Sequence, residues 1–156
     1  MKTENHRLFE KSKDYALEYM RTVNQRNVYP SLKALRALDV FKEPPPDGPT
    51  EAGKILDMLH QFDSPATIAQ TGGRYFGFVN GGAIDVALAA KWLADVWDQN
   101  TAMYVLSPIA SVLESVCGEW LVDFLGLPDG TAAGFVGGTS IGTLTGLAAG
   151  RDELRN

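Results

Sequence analysis

The chain has 156 residues, with 14 Lys and Arg against 19 Asp and Glu, and its formal net charge is −5. An acidic chain is repelled by phosphate backbones and anionic lipids, which argues against nucleic acid or a membrane surface as its main partner. The 45% hydrophobic content is typical of a folded protein. A single cysteine, Cys117, excludes an internal disulfide and fits a reducing, cytoplasmic location. Residues 1–10 are charged, so they do not predict a secretory signal.

Residues 1 to about 70 have the spacing of short amphipathic helices. The pattern predicts a first helix up to about Arg26, a second after Pro30 and a third capped by Thr50. Three consecutive prolines within residues 43–49 predict a linker or a surface strap. The segment has few residues for a core of its own, so we expect it to cover another surface. An ordinary small helical bundle is the alternative.

The next stretch is rich in aromatic residues and glycine. Residues 74–82 read Arg-Tyr-Phe-Gly-Phe-Val-Asn-Gly-Gly, which predicts a sharply turning loop or a close backbone approach. Residues 85–98 predict a helix that is apolar almost all round and therefore buried on most sides. Ser107 and Pro108 predict the cap and first position of another helix, which ends at Gly126. Cys117 lies in that helix, where packing is its expected role because its neighbours are acidic.

Residues 131–150 carry no charge, and they contain the segment that suggests chemistry. Residues 132–136 predict a short buried strand, Gly137-Gly138-Thr139-Ser140 a turn, and residues 141–151 a helix. Free backbone N–H groups, the helix dipole and two hydroxyls together favour an anion. No lysine follows the glycines, so the turn is not a Walker A loop, and its spacing is not G-x-G-x-x-G. A plain strand-to-helix turn is the alternative.

Three glycines on the last helix recur every fourth residue, at 142, 146 and 150. Because glycine is unfavourable in helices, this stripe predicts close approach to another backbone. A membrane helix uses similar spacing, but the glycines and threonines of residues 131–150 argue against it.

Other catalytic arrangements fail for want of residues. A Ser-His-Asp triad would have to use one of the two histidines, His6 or His60, but the sequence contains no G-x-S-x-G motif for its serine. The sequence also contains no cluster of metal ligands. Asp95 and Asp98 share a helix face, where solvation or packing at an interface is their expected role.

The second half of the chain resembles the group II pyridoxal-phosphate-dependent decarboxylases, which act on aromatic amino acids, glutamate or histidine. The resemblance is carried by the segment 72–82, then Trp97-Asp98-Gln99-Asn100, Ser107-Pro108 with Leu113-Glu114, and the Gly-Gly-Thr-Ser turn, in the family's order and spacing. It covers the chain well from about Ser64 onward and the N-terminal helices more loosely. Relatives often carry His-Pro where this chain has Gly72-Gly73, so substrate preference cannot be carried over.

This resemblance implies the start of the large domain of fold type I, the aspartate-aminotransferase-like α/β fold, seen here as a mostly α fragment. It implies a homodimer in which residues 1–62 pack on a partner subunit and residues 63–156 begin the domain that binds pyridoxal 5'-phosphate. Gly138, Thr139 and Ser140 would hold the cofactor phosphate. The substrate pocket would be lined by Phe78, Asn80 and Gly81, and by Asn100 from the neighbouring subunit.

The resemblance also implies residues that this chain does not match. In the family a stacking histidine, an aspartate on the pyridine nitrogen and the Schiff-base lysine follow the phosphate turn, and none of the seven lysines here has that context. Lys91 is better explained as a snorkelling side chain. We therefore expect no catalytic residue in this chain, which would be an inactive piece of an amino-acid decarboxylase. The alternatives are a non-catalytic helical module that pairs with another chain, and a fold type I enzyme of another reaction class.

Overall fold

A computed structural model describes residues 2–155, with side chains from His6 onward. Met1 and Asn156, the outer ends of the two predicted segments, lie outside the described residues. No β-strand occurs in the described part of the chain, so the prediction of a mostly α chain is confirmed. The α-helices are α1 Lys2–Thr22, α2 Leu32–Ala37, α3 Ala52–Met58, α4 Ser64–Ala66, α5 Asp85–Trp97, α6 Pro108–Phe124 and α7 Thr139–Glu153.

The contacts divide the chain into two compact units, Met1–Leu88 and Ala89–Asn156. The predicted division after residue 62 concerns packing on a partner subunit, and it stays a prediction. Across residues 2–155, no helix is both long enough and apolar enough to cross a membrane.

In the first unit, α1 packs against α3 and the helical turns that follow it. A 3₁₀ turn, Leu38–Lys42, extends α2, and a π-helical turn, Leu59–Asp63, extends α3. The rings of Tyr15 and His60 stack with centroids 3.8 Å apart. Val23 and Ala69 are buried. The N-terminal segment therefore makes packing contacts of its own, and its coverage of a partner stays a prediction.

Two predicted boundaries in this unit were wrong by a few residues. The first helix ends at Thr22 rather than near Arg26, because the chain then turns through bonds from the N–H groups of Gln25 and Arg26 to the Thr22 carbonyl. Helix α3 is capped by Glu51 rather than Thr50, since the Glu51 carboxylate accepts the Gly53 N–H at 3.1 Å. The spacing of apolar residues predicts the presence of a helix more accurately than the residues at which it begins and ends.

The predicted burial of residues 85–98 was wrong. Helix α5 forms as expected, but its apolar side chains are exposed, with Val86 at 73% and Val96 at 69%. An apolar helix sequence predicts that the helix packs against another surface, but nothing within the described residues covers the apolar side chains of α5.

Helix α6 begins after Ser107 and ends at Phe124, just before Gly126, the residue predicted to stop it. Its C-terminus is a Schellman motif: the Leu127 N–H bonds to the Val122 carbonyl, the Gly126 N–H bonds to the Asp123 carbonyl, and Gly126 has φ +63°. Ser107 occupies the N-cap position, yet its side chain makes no capping hydrogen bond. Cys117 is half-buried, in keeping with a packing role.

The predicted buried strand at residues 132–136 was wrong. The segment is irregular and exposed, because a strand needs a neighbouring strand to satisfy its backbone and the described residues supply none. The predicted close approach along the glycine stripe is likewise not found in the described chain. A Cβ at Gly142 would touch only Val136 Cγ2 at 3.6 Å, and Gly146 and Gly150 face open space.

Candidate functional site

The Gly-Gly-Thr-Ser turn lies at the N-terminus of α7. Gly138 is the N-cap residue, and its carbonyl accepts the Gly142 N–H at 3.1 Å. The next N–H groups, those of Thr139, Ser140 and Ile141, point out of the first turn without a helical carbonyl ahead of them. No side chain of the described residues caps this end of the helix. The turn therefore presents unused donors at the positive end of the helix dipole.

The space in front of this turn is open. A Cβ built at Gly137 or at Gly138 would meet nothing within 4 Å. Thr139 and Ser140 are exposed and add two hydroxyl donors beside the backbone N–H groups. Donors, dipole and free space together fit a phosphate group.

The predicted pocket residues Phe78, Asn80 and Gly81 lie on an exposed loop, residues 74–82, which we call the aromatic loop. Phe78 is 91% exposed, and Phe78 and Val79 both have φ +54°. A positive φ is strained for a non-glycine residue, above all a β-branched one. The loop thus holds an unfavourable backbone conformation and presents apolar side chains to its surroundings.

Asn80 anchors this strained loop internally. Its Nδ2 donates to Gln70 Oε1 at 3.2 Å and to the Tyr75 hydroxyl at 3.3 Å, while its backbone N–H bonds to the Gly77 carbonyl at 3.4 Å. A Cβ at Gly81 would contact nothing within 4 Å, so the chain beside Asn80 is open to approach.

Asn100, the fourth predicted pocket residue, lies in the second unit. Its Oδ1 accepts the Ala102 N–H at 3.1 Å in a local turn, and the side chain is exposed. The Gly-Gly-Thr-Ser turn also belongs to the second unit, whereas the aromatic loop belongs to the first. The structure thus joins Gly138, Thr139 and Ser140 in one turn and Phe78, Asn80 and Gly81 in one loop.

Three of the side chains considered as catalytic candidates, Lys91, Asp95 and His60, are paired or stacked. Lys91 Nζ lies 2.7 Å from Asp95 Oδ2 on the surface of α5, an ordinary i,i+4 ion pair. His60 is stacked on Tyr15, with its Nε2 3.7 Å from Glu18 Oε2. Among the described residues no group of His, Cys, Asp or Glu could hold a metal ion.

A titratable cluster between α1 and α3 escaped the sequence reasoning. Asp57 Oδ1 lies 2.7 Å from Lys11 Nζ and accepts the Tyr15 hydroxyl at 2.5 Å. These two hydrogen bonds, the one from Lys11 first, lower the pKa of Asp57. The same contacts with Asp57 raise the pKa of Lys11 and of Tyr15. The cluster joins α1 and α3 within the first unit.

A second contact region that spacing could not reveal joins the end of α1 to residues 64–74. The Arg26 guanidinium stands 4.3 Å from the centroid of the Tyr19 ring and donates to the Ser64 carbonyl at 2.8 Å. Asn24 Oδ1 accepts the Gly73 N–H at 2.9 Å, and the Arg74 guanidinium donates to the Arg26 carbonyl. The hydrogen-bonded partners are 38 to 49 residues apart, a separation at which no local pattern operates.

No protein-family model matches the chain. The chain is 23% identical over 149 residues to tyrosine decarboxylase 2 of Narcissus pseudonarcissus, and the alignment covers 92% of this chain and 30% of that protein. The chain thus spans less than a third of the length of this relative. The distant similarity agrees with the group II decarboxylase resemblance drawn from the residue motifs.

Proposed function

We propose that this chain is the N-terminal part of a pyridoxal-phosphate-dependent amino-acid decarboxylase, in which it supplies the phosphate turn and part of the substrate pocket. The observation that carries the proposal is the uncapped N-terminus of α7. The space beside Gly138 is open there, and the side chains of Thr139 and Ser140 supply two hydroxyl groups. The distant similarity to a tyrosine decarboxylase, which extends over 92% of the chain, supports the reaction class.

The residues of the turn have a binding role in this proposal. The N–H groups and hydroxyls of Thr139 and Ser140 would hold the dianionic phosphate, and the α7 dipole would add to its binding. Bound in this way, pyridoxal phosphate supplies a ring that accepts the electrons released when the α-carboxylate leaves as CO₂. No lysine of this chain matches the family's Schiff-base position, so we propose no catalytic residue within it.

The pocket residues orient the substrate in this proposal. Phe78 offers an exposed apolar surface for a substrate side chain, while the backbone beside Gly81 leaves room for close approach. Asn80 fixes the shape of the loop through Gln70 and Tyr75. Asn100 would reach the pocket from the other subunit of a homodimer.

Binding of the cofactor phosphate is tested by equilibrium dialysis of the purified protein against pyridoxal 5'-phosphate and against pyridoxal, which lacks the phosphate. We expect the phosphorylated compound to bind more tightly, and the double variant Thr139→Val, Ser140→Ala to lose about tenfold in affinity for it alone, equivalent to the loss of one or two charge-assisted bonds. Thr145→Val is the matched control, since Thr145 lies on the same helix and its hydroxyl already bonds to the Ile141 carbonyl. Equal affinity for the two compounds would contradict the phosphate site.

The reaction class needs a separate assay. We expect the full-length protein with cofactor to release CO₂ from an amino acid, with L-tyrosine as the first substrate to try because the relative is named a tyrosine decarboxylase. Cofactor binding without CO₂ release from any amino acid would refute decarboxylation and favour a fold type I enzyme of another reaction class.

A specific observation favours a second candidate, a non-catalytic module that pairs with another chain. Helices α5, α6 and α7 expose large apolar side chains, among them Trp97, Trp120 and Leu147. Surfaces of this kind mark contact sites on soluble proteins. Light scattering separates the two ideas together with the dialysis. A module would associate with itself or an added chain without binding pyridoxal 5'-phosphate, whereas a well-behaved monomer would remove the need for a partner.

A further inference from the structure

The segment that follows α1, residues 23–28, holds the base of the aromatic loop through three contacts within the first unit. Asn24 Oδ1 accepts the Gly73 N–H at 2.9 Å, and the Arg74 guanidinium donates to the carbonyl of Arg26. Earlier in the same segment, the Ala69 N–H donates to the Val28 carbonyl at 3.1 Å. The segment that enters the loop is therefore bonded to the chain that leaves α1 on both sides of Gly72.

Gly72 brings this segment against the helix end. A Cβ at Gly72 would lie 3.2 Å from the Ala69 carbonyl oxygen, 3.3 Å from Asn24 Oδ1 and 3.4 Å from Val23 Cγ2. A side chain at this position would push against the amide that receives the Gly73 N–H. The glycine at position 72 is thus explained by its fit to Ala69 and Asn24, whereas a Cβ at Gly73 would lie 3.9 Å from Asn24 Oδ1, an ordinary contact.

The same segment continues into the loop through a chain of hydrogen bonds. The Tyr75 N–H bonds to the Gly72 carbonyl at 3.2 Å. The Tyr75 hydroxyl and Gln70 Oε1 in turn accept both bonds from Asn80 Nδ2. Asn80 is thereby connected to Asn24 through Tyr75 and the Gly72–Gly73 peptide group, whose carbonyl accepts from Tyr75 and whose N–H donates to Asn24.

We propose that Asn24 is a positioning residue: by accepting the Gly73 N–H it orders the base of the aromatic loop and so sets the placement of Asn80 and Phe78. The turn that follows α1 then has a role in substrate recognition as well as in packing. Whether the loop contacts substrate rests on the proposed function, whereas the anchoring itself rests only on the contacts within the first unit.

The anchoring is tested by amide hydrogen exchange on the full chain with three substitutions at one position. Asn24→Ala removes the side-chain amide, Asn24→Leu keeps its volume but not its acceptor, and Asn24→Asp keeps the acceptor. We expect Ala and Leu to speed exchange about fivefold at the Gly73 amide, the scale of one exposed hydrogen bond, and to speed it at Tyr75 and Asn80 as well. Asp restores protection, because a carboxylate accepts the same bond.

Asn27→Ala is the matched control. Asn27 is exposed in the same segment, and we expect its replacement to leave exchange in the loop unchanged. Protection retained in Asn24→Leu would mean that volume alone suffices, and would overturn the proposal. A loss confined to Gly73 would overturn it too, and so would a uniform loss across α1 and α3, which would reflect support of the whole unit.

Steady-state kinetics on the full-length protein with L-tyrosine then relate the anchoring to substrate. We expect Asn24→Leu to raise KM several-fold with kcat nearly unchanged, and Asn24→Asp to restore KM. If the loop loosens while KM stays the same, the loop is not at the substrate, and that part of the proposed function fails while the anchoring stands. If the wild type releases no CO₂, the proposed reaction fails and the exchange result still decides the role of Asn24.

Discussion

Two serines occupy N-cap positions in this chain, and their surroundings predict opposite effects of the same substitution. The Ser31 hydroxyl accepts the Ala34 N–H at 3.2 Å and so caps α2 in an exposed position. The Ser107 side chain before α6 is 0% exposed, and its hydroxyl has no hydrogen-bond partner among the described residues. Replacement by alanine therefore removes a useful bond at Ser31 and an unsatisfied buried group at Ser107.

The magnitudes follow from these two environments. A buried hydroxyl without a partner costs about 1–3 kcal/mol, so we expect Ser107→Ala to raise the free energy of unfolding by about 1 kcal/mol after the loss of one buried oxygen's packing contacts. Loss of a capping side chain costs about 1 kcal/mol, so we expect Ser31→Ala to lower the free energy of unfolding by this amount. For a chain of this size, each change corresponds to about 2–4 °C in Tm.

The assay can follow the two units separately. All three tryptophans, at positions 92, 97 and 120, lie in the unit Ala89–Asn156, so tryptophan fluorescence during urea unfolding follows Ser107→Ala. Exchange of the Ala34 amide follows Ser31→Ala. A Ser107→Ala variant that unfolds at lower urea, with an unchanged m-value, would refute the reasoning, because it would mean that the hydroxyl makes a stabilising bond.

Two further predictions concern the pH dependence of the first unit and the end of α6. Because the pKa of Asp57 is lowered in the folded state, its contribution to stability is present above the ordinary carboxyl pKa and is lost as pH falls through the folded-state pKa. The pKa values of Lys11 and Tyr15 are raised, so their contribution is present below their ordinary pKa values and is lost as pH rises through the folded-state values. Asp57→Asn should therefore flatten the unfolding midpoint against pH in both the acid and the alkaline limb, and unchanged limbs would contradict the cluster. Gly126→Ala, at φ +63°, should cost about 1–2 kcal/mol, whereas Gly146→Ala, in open space within α7, should gain about 0.5–1 kcal/mol in the same fluorescence assay. Equal effects of the two alanines would show that backbone conformation does not decide them.

Local signals in the sequence predicted the helices well. The serine–proline pair at 107–108 and the glycine at 126 act within a few residues of the helix ends they mark, so the bounds of α6 could be predicted from the chain alone. The same holds for the turn before α7, where the N-cap glycine and two hydroxyl residues are consecutive in sequence.

Features that depend on distant partners could not be predicted in the same way. A strand at residues 132–136 needs a neighbouring strand, and the burial of α5 needs a surface that covers it. Neither requirement is visible in the residues of the element itself. The contact between Asn24 and Gly73 joins residues 49 positions apart, and the exposed polar residue that makes it fits no hydrophobic pattern. The anchored base of the aromatic loop was therefore missed, although the loop itself was recognised.

Two glycines of this chain, Gly72 and Gly138, differ in what surrounds them. Gly72 is explained by its neighbours, because a Cβ there would press on Ala69 and Asn24. Gly138 has no such explanation within the described residues: nothing lies within 4 Å of a Cβ at that position, and its φ of 169° is extended backbone that any residue adopts. Neither crowding nor conformation requires glycine at 138, yet glycine before a helix carries an entropic cost that a serine or threonine cap would avoid. Under the proposed function, a phosphate that approaches this backbone closely at the helix N-terminus would give the residue a physical reason.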